Sequence, residues 1–121
     1  MVYVRRLDEE SNVDELVNLC RKVGGEVIVD VKDGEKYVKC KINRPIMLSV
    51  QEEYIGDEVI HKLVFYDLNK HVKLGEGLFN VDSINVGVKT LVIFTGYSEN
   101  IVTPRGLDIE VKGKDMRIIE K

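Results

Sequence analysis

Residues 26–42, Glu26-Val-Ile-Val-Asp-Val-Lys-Asp-Gly-Glu-Lys-Tyr-Val-Lys-Cys-Lys-Ile42, decide how the chain is read. Asp33-Gly34 suits a two-residue type I′ turn, because both central positions of that turn need φ > 0. Pairing outward from the turn sets Val29 against Val38, Val27 against Cys40, Lys32 against Glu35 and Glu26 against Lys41. Apolar residues thus meet apolar ones and opposite charges meet, whereas a slip of one residue scatters both sets. The hairpin then has one apolar face of Val27, Val29, Val31, Val38, Cys40 and Ile42. Its other face carries Ile28, Asp30, Tyr37, Lys39 and Lys41.

Upstream of this hairpin the periodicity changes. Val13, Leu16, Val17, Cys20 and Val23 recur at helical spacing, with Asn12 and Glu15 as a cap pair and Gly24-Gly25 as the stop. One amphipathic helix over about 12–23 is expected. Downstream, Arg44-Pro45 breaks the chain, and IMLSVQEEY (46–54) and EVIHKLVFYDL (58–68) fold about Gly56-Asp57. That register opposes Leu48 with Phe65, Val50 with Leu63 and Tyr54 with Val59. The second face of this hairpin, Met47, Ser49, Gln51, Ile60, Lys62, Val64 and Tyr66, is mixed.

Residues 68–87 are rich in glycine and admit a turn or short helix around 78–85. VKTLVIFTGY (88–97) is apolar on both faces, as a central strand would be. SENIVTPRG (98–106) reads as a polar loop, LDIEVK (107–112) as a strand, and MRIIEK (116–121) as an edge strand. The expected fold is a single domain over residues 1–121, mainly β with one helix. A small antiparallel barrel suits so many strands, since closure removes sheet edges; another small all-β architecture is the alternative.

Composition agrees. The 121 residues include 19 Val and 11 Ile but no Ala, which favours strands. Apolar residues at 44% and charged residues at 32% exclude a disordered chain, and no apolar run reaches the ~20 residues of a bilayer crossing. The opening MVYVRRLDEE has no apolar leader core, so a cytoplasmic protein is expected. A net charge of −3 argues against a sequence-blind DNA coat, although residues 61–121 sum to +1 and leave room for a local basic face. High Lys and Glu with a single Gln matches the bias of thermophile proteins. Cys20 and Cys40 are expected as two reduced core thiols.

Local chemistry is sparse. His61 and His71 lie ten residues apart with no zinc spacing around them. Gly75-Glu76-Gly77 is not followed by the Gly-Lys-Ser/Thr of a phosphate loop. No nucleophile motif stands beside a base. Neither an enzyme nor a cofactor or metal is expected.

HKLVFYD (61–67), NVGVKTLVIFTGY (85–97) and SENIVTPRGLDIEVKG (98–113) together resemble the third to fifth strands of oligonucleotide-binding (OB) domains. The archaeal single-stranded DNA-binding and replication protein A families are the ones they resemble. The resemblance covers about residues 60–112, and Val88 stands where those domains often have Asp. It implies an OB-like barrel that holds single-stranded DNA or RNA by base stacking and phosphate contacts. The residue types needed are aromatic planes beside cations. Tyr37, Lys39 and Lys41 share one strand face, Lys62 and Tyr66 another, and Tyr97 and Arg105 bracket the loop before the last of those strands. These seven are the expected site. The second expectation is an interaction subunit, a self-dimer or part of a larger complex, drawing on the outward apolar residues Ile28, Met47, Ile60 and Val64.

Overall fold

The computed structural model describes residues 9–87, 91–95 and 98–121. The chain forms one helix, α1 (Glu9–Lys22), and ten strands: β1 (Glu26–Lys32), β2 (Glu35–Ile42), β3 (Ile46–Ile55), β4 (Glu58–Asp67), β5 (Lys73–Phe79), β6 (Ser83–Gly87), β7 (Leu91–Thr95), β8 (Ser98–Thr103), β9 (Leu107–Lys112) and β10 (Asp115–Glu120). Two five-stranded sheets result, ordered β1-β2-β9-β10-β6 and β5-β4-β3-β8-β7. All pairs are antiparallel except β10 with β6. Neither sheet closes on itself among the described residues, so the mainly β chain is built as two open sheets.

Both hairpins take the expected registers. Val29 faces Val38 and Lys32 faces Glu35 in the first; Leu48 faces Phe65 and Tyr54 faces Val59 in the second. Asp33 and Gly34 both have positive φ, 53° and 79°, as a type I′ turn requires. The inward side chains of both sheets, among them Val38, Ile42, Leu48, Phe65, Ile101, Ile109 and Ile118, form one buried cluster with Leu16, Leu19 and Cys20 of α1. The helix packs on β5 and β2. Gly75 and Gly77 permit this, because a side chain on either would press within 3.1–3.2 Å of Leu19.

Four expectations are corrected. Residues 78–85 hold no helix: β5 ends in them and β6 begins, and Gly75 and Gly77 just before them lie in β5, where they mark close approach of the helix. SENIVT is not a loop but β8, between β3 and β7, with Ile101 and Thr103 buried and the Thr103 hydroxyl donating to the Ile46 carbonyl at 3.1 Å. Polar residues fall on both of its faces, Glu99 and Thr103 with Ile101, and Ser98 and Asn100 with Val102, which hides the alternation. The strand within VKTLVIFTGY, β7, is the last of its sheet among the described residues rather than an inner strand. The tail strand β10 is no edge either; it lies between β9 and β6.

Two further corrections concern α1. Asn12 does not cap it but lies inside it, fully buried. Cys20 and Cys40 are not free thiols; they are joined in a disulfide with Cα atoms 5.7 Å apart. The helix lies directly over β2, and Gly25 makes the room: a Cβ there would fall 2.7 Å from one sulfur and 2.9 Å from the other.

Candidate interaction surface

The seven residues expected to bind nucleic acid do not converge. Tyr37, Lys39 and Lys41 alternate outward from β2, since Val38, Cys40 and Ile42 between them are buried. Lys62 and Tyr66 stand on β4, in the other sheet. Arg105 is exposed in the turn from β8 to β9, and Tyr97 lies outside the described residues.

On the first sheet, β9 supplies acids to the lysines of β2. Lys39 pairs in register with Glu110 and Lys41 with Asp108. The Lys39 ammonium sits 3.7 Å from both carboxylates. Arg117 reaches Glu110 at 3.8 Å and Lys121 reaches Asp108 at 3.3 Å. This face is therefore a ladder in which each acid is shared by two cations, and most of its positive charge is already answered.

Tyr37 is held still. It is 8% exposed, and the Lys32 ammonium lies 4.0 Å above its ring centroid. Burial raises its pKa first, and the hydroxyl's hydrogen bond to Glu110 raises it further, to about 12. A ring covered by a cation on one side offers a base little to stack on. A shallow depression of about 390 Å³ beside it is lined by Lys32, Glu110, Lys112, Asp115 and Arg117, so its charges are mixed as well.

The β4 pair is no more available. Lys62 is bridged to Glu76 at 3.3 Å and to Glu53 at 3.8 Å, and Tyr66 is half-buried. Ile60 and Val64, expected as outward apolar residues, are 1% and 3% exposed, and Met47 is half-buried. Of that set only Ile28, at 37%, remains open.

Among the open apolar surfaces, which include Tyr54 and Ile55 at the tip of the second hairpin, one belongs to the apolar face of the first hairpin. Val29 and Val31 share a face with the half-buried Val27, yet they are 59% and 64% exposed. The hairpin leaves the helix end at Gly24-Gly25, and the disulfide ties α1 to the Cys40 end of β2, opposite Val27. Toward the turn, β2 is covered as far as Val38 and Tyr37, while β1 overhangs as the last strand of its sheet among the described residues. Alternation fixes the face a side chain takes, not what lies over that face. The charged Asp30 and Lys32 within β1 are the one hint of an edge in the sequence, since sheet edges carry such residues.

The turn chemistry also fixes which backbone groups face outward. In a two-residue hairpin the flanking pair, here Lys32 and Glu35, exchanges both hydrogen bonds, and such pairs recur at every second position. Asp30 and Ile28 therefore bond to β2, and Val27, Val29 and Val31 turn their N–H and C=O groups away from it. The Val31 N–H bears this out: it donates to the Asp30 carboxylate at 2.8 Å instead of to β2. No family model, no curated protein and no solved structure matches the chain.

Proposed function

We propose that the chain is a non-enzymatic interaction module whose binding element is the outer edge of β1. One observation carries this: an edge strand presents outward backbone groups from three valines, two of them more than half exposed. Strand addition uses such an edge, with main-chain hydrogen bonds for affinity and alternate side chains for selectivity. An edge left in this state would otherwise be a liability to aggregation, which charges or bulges normally blunt.

Single-strand binding through stacking, which the OB resemblance implies, has less support. The cations it needs are divided between two sheets, Lys39 and Lys62 among them are paired with carboxylates, and Tyr37 is covered. The experiment is a selection of peptides from a random display library on the immobilised protein, with Val29→Lys/Val31→Lys as the counter-target. Extended, β-branched peptides retained by the wild type and lost from the variant are expected. Peptides bound equally by both would overturn the proposal, as would no enrichment. A labelled strand of ~20 nucleotides, titrated at low salt, serves as the competing arm. Salt-sensitive binding that Lys39→Glu abolishes would favour the nucleic-acid reading instead.

A further inference from the structure

We propose that the strand received by β1 is β1 of a second copy, paired antiparallel about a two-fold axis at Val29. This rests on the edge reading above and names its partner. The residues of β1 run Glu26-Val27-Ile28-Val29-Asp30-Val31-Lys32. Reversed against itself about Val29, the strand sets Val29 on Val29, Val27 on Val31, and Glu26 on Lys32 at both ends. The end charges and the valine face are both self-complementary, as an isologous interface requires, while Ile28 falls opposite Asp30 on the other face.

The backbone agrees with that register. The outward groups belong to Val27, Val29 and Val31, and centring on Val29 opposes these residues only with one another. Each opposed pair exchanges two bonds, about six in all. The Val31 N–H, held at 2.8 Å by its neighbour Asp30, would pass to the carbonyl of Val27 in the second copy. All three valines lie on the same face as the buried Val38 and Cys40, so their side chains would join across the axis and extend the apolar layer.

Other registers are worse. Centring on Ile28 sets Glu26 on Asp30 twice, and centring on Asp30 sets that acid on itself. Like charges directly opposed are destabilising. Centring on Val31 sets Asp30 on Lys32 but overlaps only residues 30–32 of β1, whereas the Val29 register runs the whole strand with opposite charges together and no like charges.

The test uses the full chain in sedimentation and light scattering from about 1 µM to about 500 µM. A concentration-dependent dimer is expected. Glu26→Lys and Lys32→Glu should each weaken it by about tenfold or more, and the double variant should return close to the wild type. The double variant is informative because within one copy Glu26 also faces Lys41 and Lys32 faces Glu35. Both internal pairs are then wrong at once, and only the contact between copies is repaired. Both side chains are exposed, so folding is checked simply by thermal melts.

Cross-linking provides the geometry. Val29→Cys meets itself across the axis at about 5.5 Å between Cα atoms, within disulfide reach, and should form a covalent dimer under mild oxidation. Val31→Cys meets Val27 and should not. A strict monomer at the highest concentration, a double variant as weak as the singles, or equal cross-linking of the two cysteine variants would each overturn the proposal. A monomer that still selects strands on β1 from the peptide library defeats the second copy alone; failure of both defeats the edge as well.

Discussion

Asn12 and Asn80 face each other as two peptide groups do in a sheet. The Asn12 side chain donates through Nδ2 to the Asn80 carbonyl at 2.7 Å and accepts the Asn80 N–H on Oδ1 at 2.8 Å. The same Nδ2 also donates to the Gly113 carbonyl at 3.0 Å. One helical side chain therefore satisfies backbone groups of the β5–β6 link and of the turn between β9 and β10, at a site closed to water.

Removing that side chain leaves buried polar groups unsatisfied, each costing about 1–3 kcal/mol. Asn12→Ala should cost about 3 kcal/mol and lower Tm by about 10 °C. Asn12→Asp keeps the acceptor but turns a carboxylate toward two carbonyls, which raises its pKa above the unfolded value near 3.9. Its penalty is absent below that value and grows as pH rises through the folded pKa. Melts at pH 4 and pH 7 would refute this if the Asp variant tracked Asn12→Ala at both.

The disulfide between Cys20 and Cys40 closes a loop with a sequence separation of 20. Chain entropy assigns such a loop about 3 kcal/mol. The double variant Cys20→Ala/Cys40→Ala should melt well below the oxidised protein, and reductant should lower the wild type's Tm while leaving the variant's unchanged. Equal melting of the oxidised and reduced wild type would show that the bond contributes nothing.

What could be read from the sequence, and what could not, follows from the range of each signal. The hairpins were legible because Asp33-Gly34 and Gly56-Asp57 fix their registers locally, and the paired side chains confirm each register. Asn12 has the neighbours of a cap, while the groups it serves lie at Asn80 and Gly113. Cys20 and Cys40 read as independent core residues in sequence, because only the packing of the helix over β2 brings them together. The site suffered most. Tyr37, Lys39 and Lys41 do share a face, but Asp108 and Glu110, which answer their charge, arrive from β9 by a long-range pairing that alternation within LDIEVK cannot announce.

Acid should unfold the protein partly through Asp67. Its carboxylate accepts the backbone N–H groups of Lys70 and Asn69 at 2.8 and 2.9 Å and binds the Arg44 guanidinium at 2.6 Å. The Lys70 hydrogen bond, then Arg44, hold its pKa below the usual carboxylate value. A depressed folded pKa contributes stability that is complete above the unfolded pKa, near 3.9, and is lost as pH falls through the folded one. Wild type and Asp67→Asn should thus differ most in Tm at neutral pH and converge below pH 4. A constant gap across that range would assign the effect to packing.

At the alkaline end, Tyr37 should hold its proton late. Its pKa of about 12 means the folded state keeps the proton after the unfolded state, near 10, has released it. Its contribution is complete below about pH 10 and is lost as pH rises through 12. An ultraviolet titration should show one late tyrosinate step that Tyr37→Phe removes and Glu110→Gln shifts downward. A late step surviving in Tyr37→Phe would place it on another ring.

Two glycines with positive φ should respond very differently to the same substitution. Gly34, at φ 79°, has open space where a Cβ would go, so Gly34→Ala should cost only the local strain of about 1 kcal/mol. Gly106, at φ 97°, lies against the backbone of the link from β2 to β3: a Cβ there would overlap the Ile42 carbonyl and press on the Arg44 nitrogen at 3.1 Å. Neither group is a flexible side chain end, and the Lys121 N–H also donates to the Gly106 carbonyl, so the segment is held from both sides. Gly106→Ala should cost about 3 kcal/mol or more, because strain and collision add where nothing can move aside. Chemical denaturation of both variants checks the comparison. Equal losses would mean that the turn before β9 yields more readily than its contacts with Ile42 and Arg44 imply.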